Sequence, residues 1–334
     1  MITSSIRILT GLQNRSGLLS ASNAAATGYN QAWIRDNIYE SLGFEALKKT
    51  KSLKRIYRTL LNVFLKHEWK IDYAIKEKPR YNHQYIHARY NPITSDEILE
   101  NWGNKQNDAI GAFLFKIGDL ENKGIKIIRN RNDKRIIQKL VYYLKSVEYW
   151  HDKDNGMWEE NEEVHASSVG ACLAGLKQIQ KISKIDVPQW MIDNGQEALN
   201  NMLPRESRTK PVDLALLSLI YPFNIVSEEQ RNQILTNVEE VLVRNRGILR
   251  YLGDHYYGEG NGREAEWTMG FPWLAIIYKQ LKNPRKYAYY YRKTIESANE
   301  KKELPELYFA GTDIHNENSP LGWAQSLYLV MVSC

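Results

Sequence analysis

Cysteine is nearly missing from these 334 residues: only Cys172 and Cys334 occur, too few for a disulfide framework or a Cys-based zinc site. No run approaches the ~18 consecutive apolar residues that a membrane-spanning helix needs. The opening MITSSIRILTGLQNRSG has no apolar core long enough for a signal peptide, so the cytoplasm is the expected location. Alternating strand patterns are scarce, and no linker rich in Gly, Ser or Pro divides the chain, which reads as one domain over residues 1–334. The net charge of +6 comes without a dense basic run, because Lys and Arg are interleaved with Glu and Asp throughout. That pattern fits a solvated surface and argues against nucleic acid as a partner. His83 and His87 stand four apart, but no HExxH pair occurs and Asn91-Pro92 argues against a helix there. GEGNG at Gly258–Gly262 follows Tyr-Tyr rather than a strand and lacks a Lys-Ser/Thr after it, which makes it a poor phosphate loop. No metal and no cofactor is expected.

What is plentiful is aromatic residues, 21 Tyr and 9 Trp, set among helical periodicity near 3.6. Candidate helices run through Ile6–Gln13, Asp36–Leu47, Ser52–His67, Asn107–Leu120, Lys134–Trp150, Ala166–Ile182, Pro188–Met202, Val212–Ile220, Ser227–Val243, Trp267–Leu281, Pro284–Asn299 and Pro320–Val332. Pro188, Pro284 and Pro320 read as first-turn prolines, where the missing N–H costs nothing. Ser227 before Glu228 and Glu229 reads as a capped helix start. Long irregular segments (14–35, 71–102, 151–165, 247–266 and 301–319) tend to precede every second helix. They are rich in Trp, Tyr, His, Arg and Asp, a composition that marks functional loops rather than disorder. A ring of helical hairpins with its long loops on one rim produces this rhythm.

Two acidic segments within those loops are embedded in aromatics: DNGMWEENEE around Trp158 and Glu159, and KKELPELYF around Glu306. Glycosidic cleavage needs two carboxyl groups flanking the bond, one protonated for the leaving oxygen and one ionised to activate water or attack the sugar. Aromatic rings beside them offer flat faces for sugar rings and dry the site enough to raise the acid's pKa. Each segment alone also reads as a solvated acidic stretch.

Taken in order, GYNQAWIRDNIY, WGNKQNDAIGAFL, DNGMWEE with HASSVG, RYLGDHYYG with EWTMGFPW, and ELPELYF with SPLGWAQSLYL resemble glycoside hydrolase family 15, the glucoamylase-like family. The wording is most similar to the branch found in the α and β regulatory subunits of phosphorylase kinase. The resemblance implies an all-α (α/α)6 barrel of six concentric hairpins. It also implies an inverting, exo-acting hydrolase that releases β-glucose from the non-reducing end of α-linked gluco-oligosaccharides. Glu159 matches the family's general acid through GMWE, and Glu306 matches the general base. Anchoring instead on Ser167-Ser168 would select Glu162 as the acid, and GMWE favours Glu159. In an inverting enzyme the two carboxyls stand roughly 6.5–9.5 Å apart, with a water between.

The resemblance further implies that Arg35 and Asp36 hydrogen-bond the terminal glucose with Arg250 nearby, and that Tyr29 helps hold the attacking water. Trp33, Trp102, Gln106, Asn107, Asp108, Trp158, Tyr251, Asp254 and Trp273 are expected around the sugar. The core reading stays open for Trp273 and is the stronger one for Trp323. Neither the β-sandwich of bacterial glucoamylases nor a starch-binding module is found in the sequence, so soluble oligosaccharides or glycogen fragments are the expected ligands. The main rival is a non-catalytic carbohydrate-sensing module like the phosphorylase-kinase domains, against which the chain's stop at Cys334, just after its last helix, weighs modestly. A trehalase of the same family is a third reading.

Overall fold

The structure, a computed structural model, describes residues 1–100, 102–258 and 263–333. Most of the GEGNG segment and Cys334 lie outside the described residues. The described residues form thirteen α-helices. In order these are α1 (Ile2–Leu12), α2 (Ile34–Ala46), α3 (Thr50–Lys66), α4 (Glu68–Lys76), α5 (Asn107–Asn122), α6 (Arg131–Val147) and α7 (Ala166–Ile179). They continue with α8 (Gln189–Met202), α9 (Leu217–Ile220), α10 (Glu228–Val241), α11 (Gly270–Gln280), α12 (Pro284–Glu296) and α13 (Gly322–Ser333).

Two kinds of helix alternate. Every residue of α2 from Ile34 to Phe44 is buried, as is every residue of α7 from Ala166 to Leu176. Helices buried on all sides belong inside a protein. By contrast, α3 buries one stripe, Leu53, Ile56, Tyr57, Leu60, Leu61, Val63 and Phe64, and leaves its lysines outside. The buried helices form a closed inner ring in which α2 packs on α5, α5 on α7, α7 on α9, α9 on α11, α11 on α13, and α13 back on α2. Outside it lie α1, α3, α6, α8, α10 and α12, with α4 packed on α6 as an addition. This is the (α/α)6 barrel that the family resemblance implies, and the ring of hairpins that the helical rhythm suggests.

The α5–α7 contact is the tightest seam. A Cβ on Gly111 would stand 2.3 Å from the backbone N of Cys172, and one on Gly175 would stand 2.4 Å from the Gly111 carbonyl oxygen. Only glycine lets the two backbones approach this closely.

Several boundaries differ from expectation. The helix α4 lies largely inside a segment read as irregular, because the exposed Trp69 and Tyr73 hide its short buried stripe of Lys70, Ile71 and Ala74. Pro188 is an N-cap residue, Pro320 precedes α13, and Pro284 does occupy a first helical turn. Ser227 caps α10 as anticipated, its hydroxyl accepting from the Gln230 N–H in a capping box. Trp267 stands on a strand rather than in α11. Four two-residue strands make two antiparallel pairs: β1 (Ala32–Trp33) with β2 (Arg89–Tyr90), and β3 (Glu266–Trp267) with β4 (Leu307–Tyr308). Each is a staple between loops that enter the inner helices. The long loops lead into the N-terminal ends of the inner helices, so those ends share the rim that carries the site.

Candidate active site

A cavity of about 240 Å³ opens on that rim. Of the residues expected around a sugar, Tyr29, Trp33, Arg35, Asp36, Trp102, Trp158, Glu159, Arg250 and Glu306 line it. Glu162 does not: its side chain is 43% exposed and faces Lys105 at 3.6 Å. Between the two registers of the acidic segment, the cavity holds Glu159.

Local chain geometry explains why Glu159 faces inward. Its backbone is left-handed, with φ of 64°, a conformation that costs a non-glycine residue on the order of 1–3 kcal/mol. The turn is held by Glu160 N donating to the Asn155 carbonyl (3.0 Å) and by Asn155 Nδ2 donating to the Glu160 carbonyl (2.6 Å). Gly156 also has positive φ (63°), and a Cβ there would meet the His165 ring at 2.8 Å. Behind the turn, His165 sits 3.3 Å from buried Glu206. Burial alone would lower its pKa, but Glu206 and Asp154 outweigh burial and lift it to about 9, so a charged imidazolium supports the loop.

The two carboxyls differ in surroundings. Burial beside Met157 and Trp158 pushes Glu159 up to about 8, against the pull of Arg35, whose Nη1 is 3.4 Å away. Glu306 is also pushed up by burial, but Tyr29 Oη (2.6 Å), Asn318 Nδ2 (2.8 Å) and Asn316 Nδ2 (2.6 Å) all donate to it and pull it back. Three donors favour the ionised form. Asn318 is oriented by Thr27, whose hydroxyl donates to its Oδ1, and Tyr256 shares a 2.8 Å hydroxyl contact with Tyr29. Asp36 is raised to about 6, first by burial and then by Glu306, against Arg35. Its carboxylate makes no hydrogen bond to another side chain among the described residues.

The remaining expected residues act at one remove. Gln106 and Asp108 accept from Arg35: Nη2 to Gln106 Oε1 is 2.6 Å, and Nε to Asp108 Oδ2 is 2.6 Å. Asn107 ties the start of α5 to the acid's loop through Asp154 (2.9 Å) and Asp152 (2.9 Å). Asp254 holds Arg250 through two oxygens, at 2.6 and 2.5 Å. Tyr251 donates to Glu160 (2.6 Å), which also accepts from Arg250 (2.8 Å) and Lys210 (2.7 Å). Trp273 is a core residue, fully buried, with its Nε1 donating to the Tyr221 carbonyl at 2.7 Å. Trp323, expected in the core, stacks on Tyr39 at 4.2 Å yet also lines the cavity, with a buried Nε1 that has no partner among the described residues.

Sequence reasoning missed Arg89, Tyr256, Trp267, Asn316 and Asn318, and it passed over Glu160 beside the acid. Trp267 packs 5.7 Å from Trp158, whose Nε1 is fixed by Asp213 at 2.8 Å, and Arg250 lies over both rings. The signal for Asn316 and Asn318 was their alternation in HNENS after the base, a two-residue spacing that turns both amides the same way. His83 falls on a 3₁₀ turn and His87 in the irregular stretch before β2, so helical metal-ligand geometry does not arise. Among the described residues no three His, Cys, Asp or Glu side chains group as a metal site, and no helix is long and apolar enough to cross a membrane.

A model of the Glycosyl hydrolases family 15 matches residues 2–330. The phosphorylase b kinase regulatory subunit alpha, liver isoform, of Oryctolagus cuniculus is 29% identical over 283 residues, covering 72% of this chain and 22% of its own length. The skeletal muscle isoform from the same species is 26% identical over 394 residues, covering 94% and 31%. This chain thus spans less than a third of those relatives. Among solved structures, a glycosidase variant in complex with glucose matches with TM-score 0.83 and 18% identity, covering 99% of this chain and 95% of that one. A bacterial glucoamylase complexed with acarbose matches with TM-score 0.73 and 17% identity, covering 99% and 55%. These structures share the fold, and with the family match along nearly its whole length the chain belongs to glycoside hydrolase family 15.

Proposed function

We propose that this protein is an inverting, exo-acting glycoside hydrolase that releases β-glucose from the non-reducing end of α-linked gluco-oligosaccharides. The observation that carries the reading is the pair of carboxyls in one cavity with opposite surroundings: Glu159, half-buried and desolvated with Arg35 3.4 Å away, and Glu306, fully buried and held by three donors. Glu159 keeps its proton near neutral pH and delivers it to the glycosidic oxygen as the bond to the anomeric carbon breaks. A water held at Glu306 and Tyr29 attacks that carbon from the other face and gives its proton to Glu306. Arg35 Nη1, Asp36 and Arg250 meet the hydroxyls of the terminal glucose, and Trp158, Trp267 and Trp323 supply apolar walls. A cavity of about 240 Å³ is below the ~300–1,000 Å³ of drug-sized pockets. It suits one enclosed sugar with the rest of the chain outside, which supports an exo mode.

The relatives named as phosphorylase b kinase regulatory subunits favour a second reading, a module that binds glucan without turnover. Proton NMR with maltotriose, isomaltotriose and trehalose separates the two. Early β-glucose supports the hydrolase and names its linkage. Silence, with sugar binding retained by calorimetry, overturns it in favour of the module. Glu306→Gln is expected to abolish turnover while sugar binding persists.

A further inference from the structure

Three guanidinium groups line the cavity, and two of them are neutralised by buried carboxylates. Arg35 is paired with Asp108 at 2.6 Å, and Arg250 with Asp254 at 2.5 Å and Glu160 at 2.8 Å. The third, Arg89, is different. The β1–β2 pairing sets it directly opposite Trp33, and its guanidinium lies over the Trp102 ring at 4.6 Å and the Trp33 ring at 5.3 Å. Only 7% of Arg89 is exposed, and its buried Nε has no hydrogen-bond partner among the described residues. Among the described residues its only ion-pair partner is Glu100, at 2.8 Å, a side chain 75% exposed to solvent. A buried cation whose counter-charge stands in water is incompletely compensated, and burying charge is costly unless it is paired. The two rings offset part of that cost through cation–π contact.

The position of Arg89 along the cavity gives the charge a meaning. Arg89 lies over Trp102, whose neighbour Gly103 packs so closely on the acid's loop that a Cβ there would stand 2.7 Å from the Glu159 carbonyl oxygen, whereas Arg250 lies over Tyr256, which touches Tyr29, the donor to Glu306. In the hydrolase reading, on which this inference rests, Glu159 protonates the leaving oxygen. Arg89 therefore sits on the leaving-group side of the scissile bond. We infer that the leaving group carries an anionic substituent, a carboxylate or a phosphate, which Arg89 receives between Trp33 and Trp102. A planar guanidinium with free N–H groups suits either anion, and the flanking indoles accept the ring that bears it.

Binding of three α-glucosides that share one aryl ring tests this without fixing a sugar linkage. The probes are 4-carbamoylphenyl, 4-carboxyphenyl and 4-phosphonophenyl α-glucoside, titrated by calorimetry into the full chain bearing Glu306→Gln and read again as kcat/KM on the unaltered protein. At least one anionic probe is expected to bind about tenfold or more tightly than the carboxamide, as charge-assisted hydrogen bonds allow. The stronger of the two names the anion. Arg89→Met is expected to bring the ratio near one, and Arg89→Lys to keep part of it, with thermal melting showing that both variants fold. Equal affinity for all three probes, or a preference that survives in Arg89→Met, would overturn the inference. Selective binding of an anion without any hydrolysis would overturn the leaving-group assignment together with the hydrolase reading, and leave an anion site at Arg89.

Discussion

Replacing Tyr29 with Phe removes one oxygen and tests the assignment of Glu306 as a base. That hydroxyl donates to Glu306 Oε1 at 2.6 Å and is itself braced by Tyr256 at 2.8 Å. A hydrogen bond to a charged group contributes roughly 1.5–3 kcal/mol, so the ionised form of Glu306 loses about that much relative to the protonated form. At about 1.4 kcal/mol per pH unit, the Glu306 pKa should rise by about one to two units. A base works only when ionised, so the acidic limb of the kcat/KM profile moves to higher pH by that amount. Loss of the brace on the water adds a fall in kcat, roughly tenfold to 150-fold if the same energy is lost from the transition state. The assay is a pH–rate profile on both proteins with the substrate identified by NMR. An acidic limb that stays in place would refute the reasoning. It would assign that limb to another group such as Asp36, which is raised to about 6 and has no hydrogen bond to Tyr29.

Other consequences are equally open to measurement. Glu159 is raised to about 8 and must be protonated to act, so kcat/KM should fall as pH rises through about 8, and Glu159→Gln should remove both that limb and most of the activity. Gly111→Ala forces a Cβ to 2.3 Å from Cys172 N, and urea unfolding should show a loss of at least about 1–3 kcal/mol, the range for overpacked cores. Folding raises His165 to about 9 from an ordinary value near 6.5. Its contribution to stability is therefore complete below about 6.5 and lost as pH rises through about 9. His165→Gln should flatten the fall in stability across that window, and an unchanged slope would remove the imidazolium from the account of the loop.

How much of this was legible depended on whether a feature repeats along the chain or is made by contacts across it. Inner helices such as α5 and α7 repeat an apolar pattern over many residues, and the long loops before them announce themselves by length. Glu159 and Glu306 were found because each sits beside aromatics within its own segment. The two-residue strands carry no period at all. Arg89 and Trp267 reach the cavity only because their strands pair with segments far off in the chain, Arg89 against Trp33, 56 residues away, and Trp267 against Leu307, 40 residues away. Gln106, Asn107, Asp108 and Asp254 were expected around the sugar through the family resemblance, and a motif match does not separate a residue that touches a ligand from one that holds Arg35, Arg250 or the acid's loop. Trp273 and Trp323 share one sequence texture, and only the direction of each ring separates a core residue from a cavity wall.

The closed ring also sets the order in which the protein can become competent. Tyr29 enters from the loop before α2 and Glu306 from the loop before α13, and α13 lies against α2. These partners are separated by almost the whole chain, so their contact belongs to the slow, non-local class of folding events. A ribosome-bound chain that has made the first five inner helices has Arg35, Asp36, Glu159 and Arg250 but no base and no seal. The cavity is thus complete only once α13 has docked on α2, and its appearance would report that event.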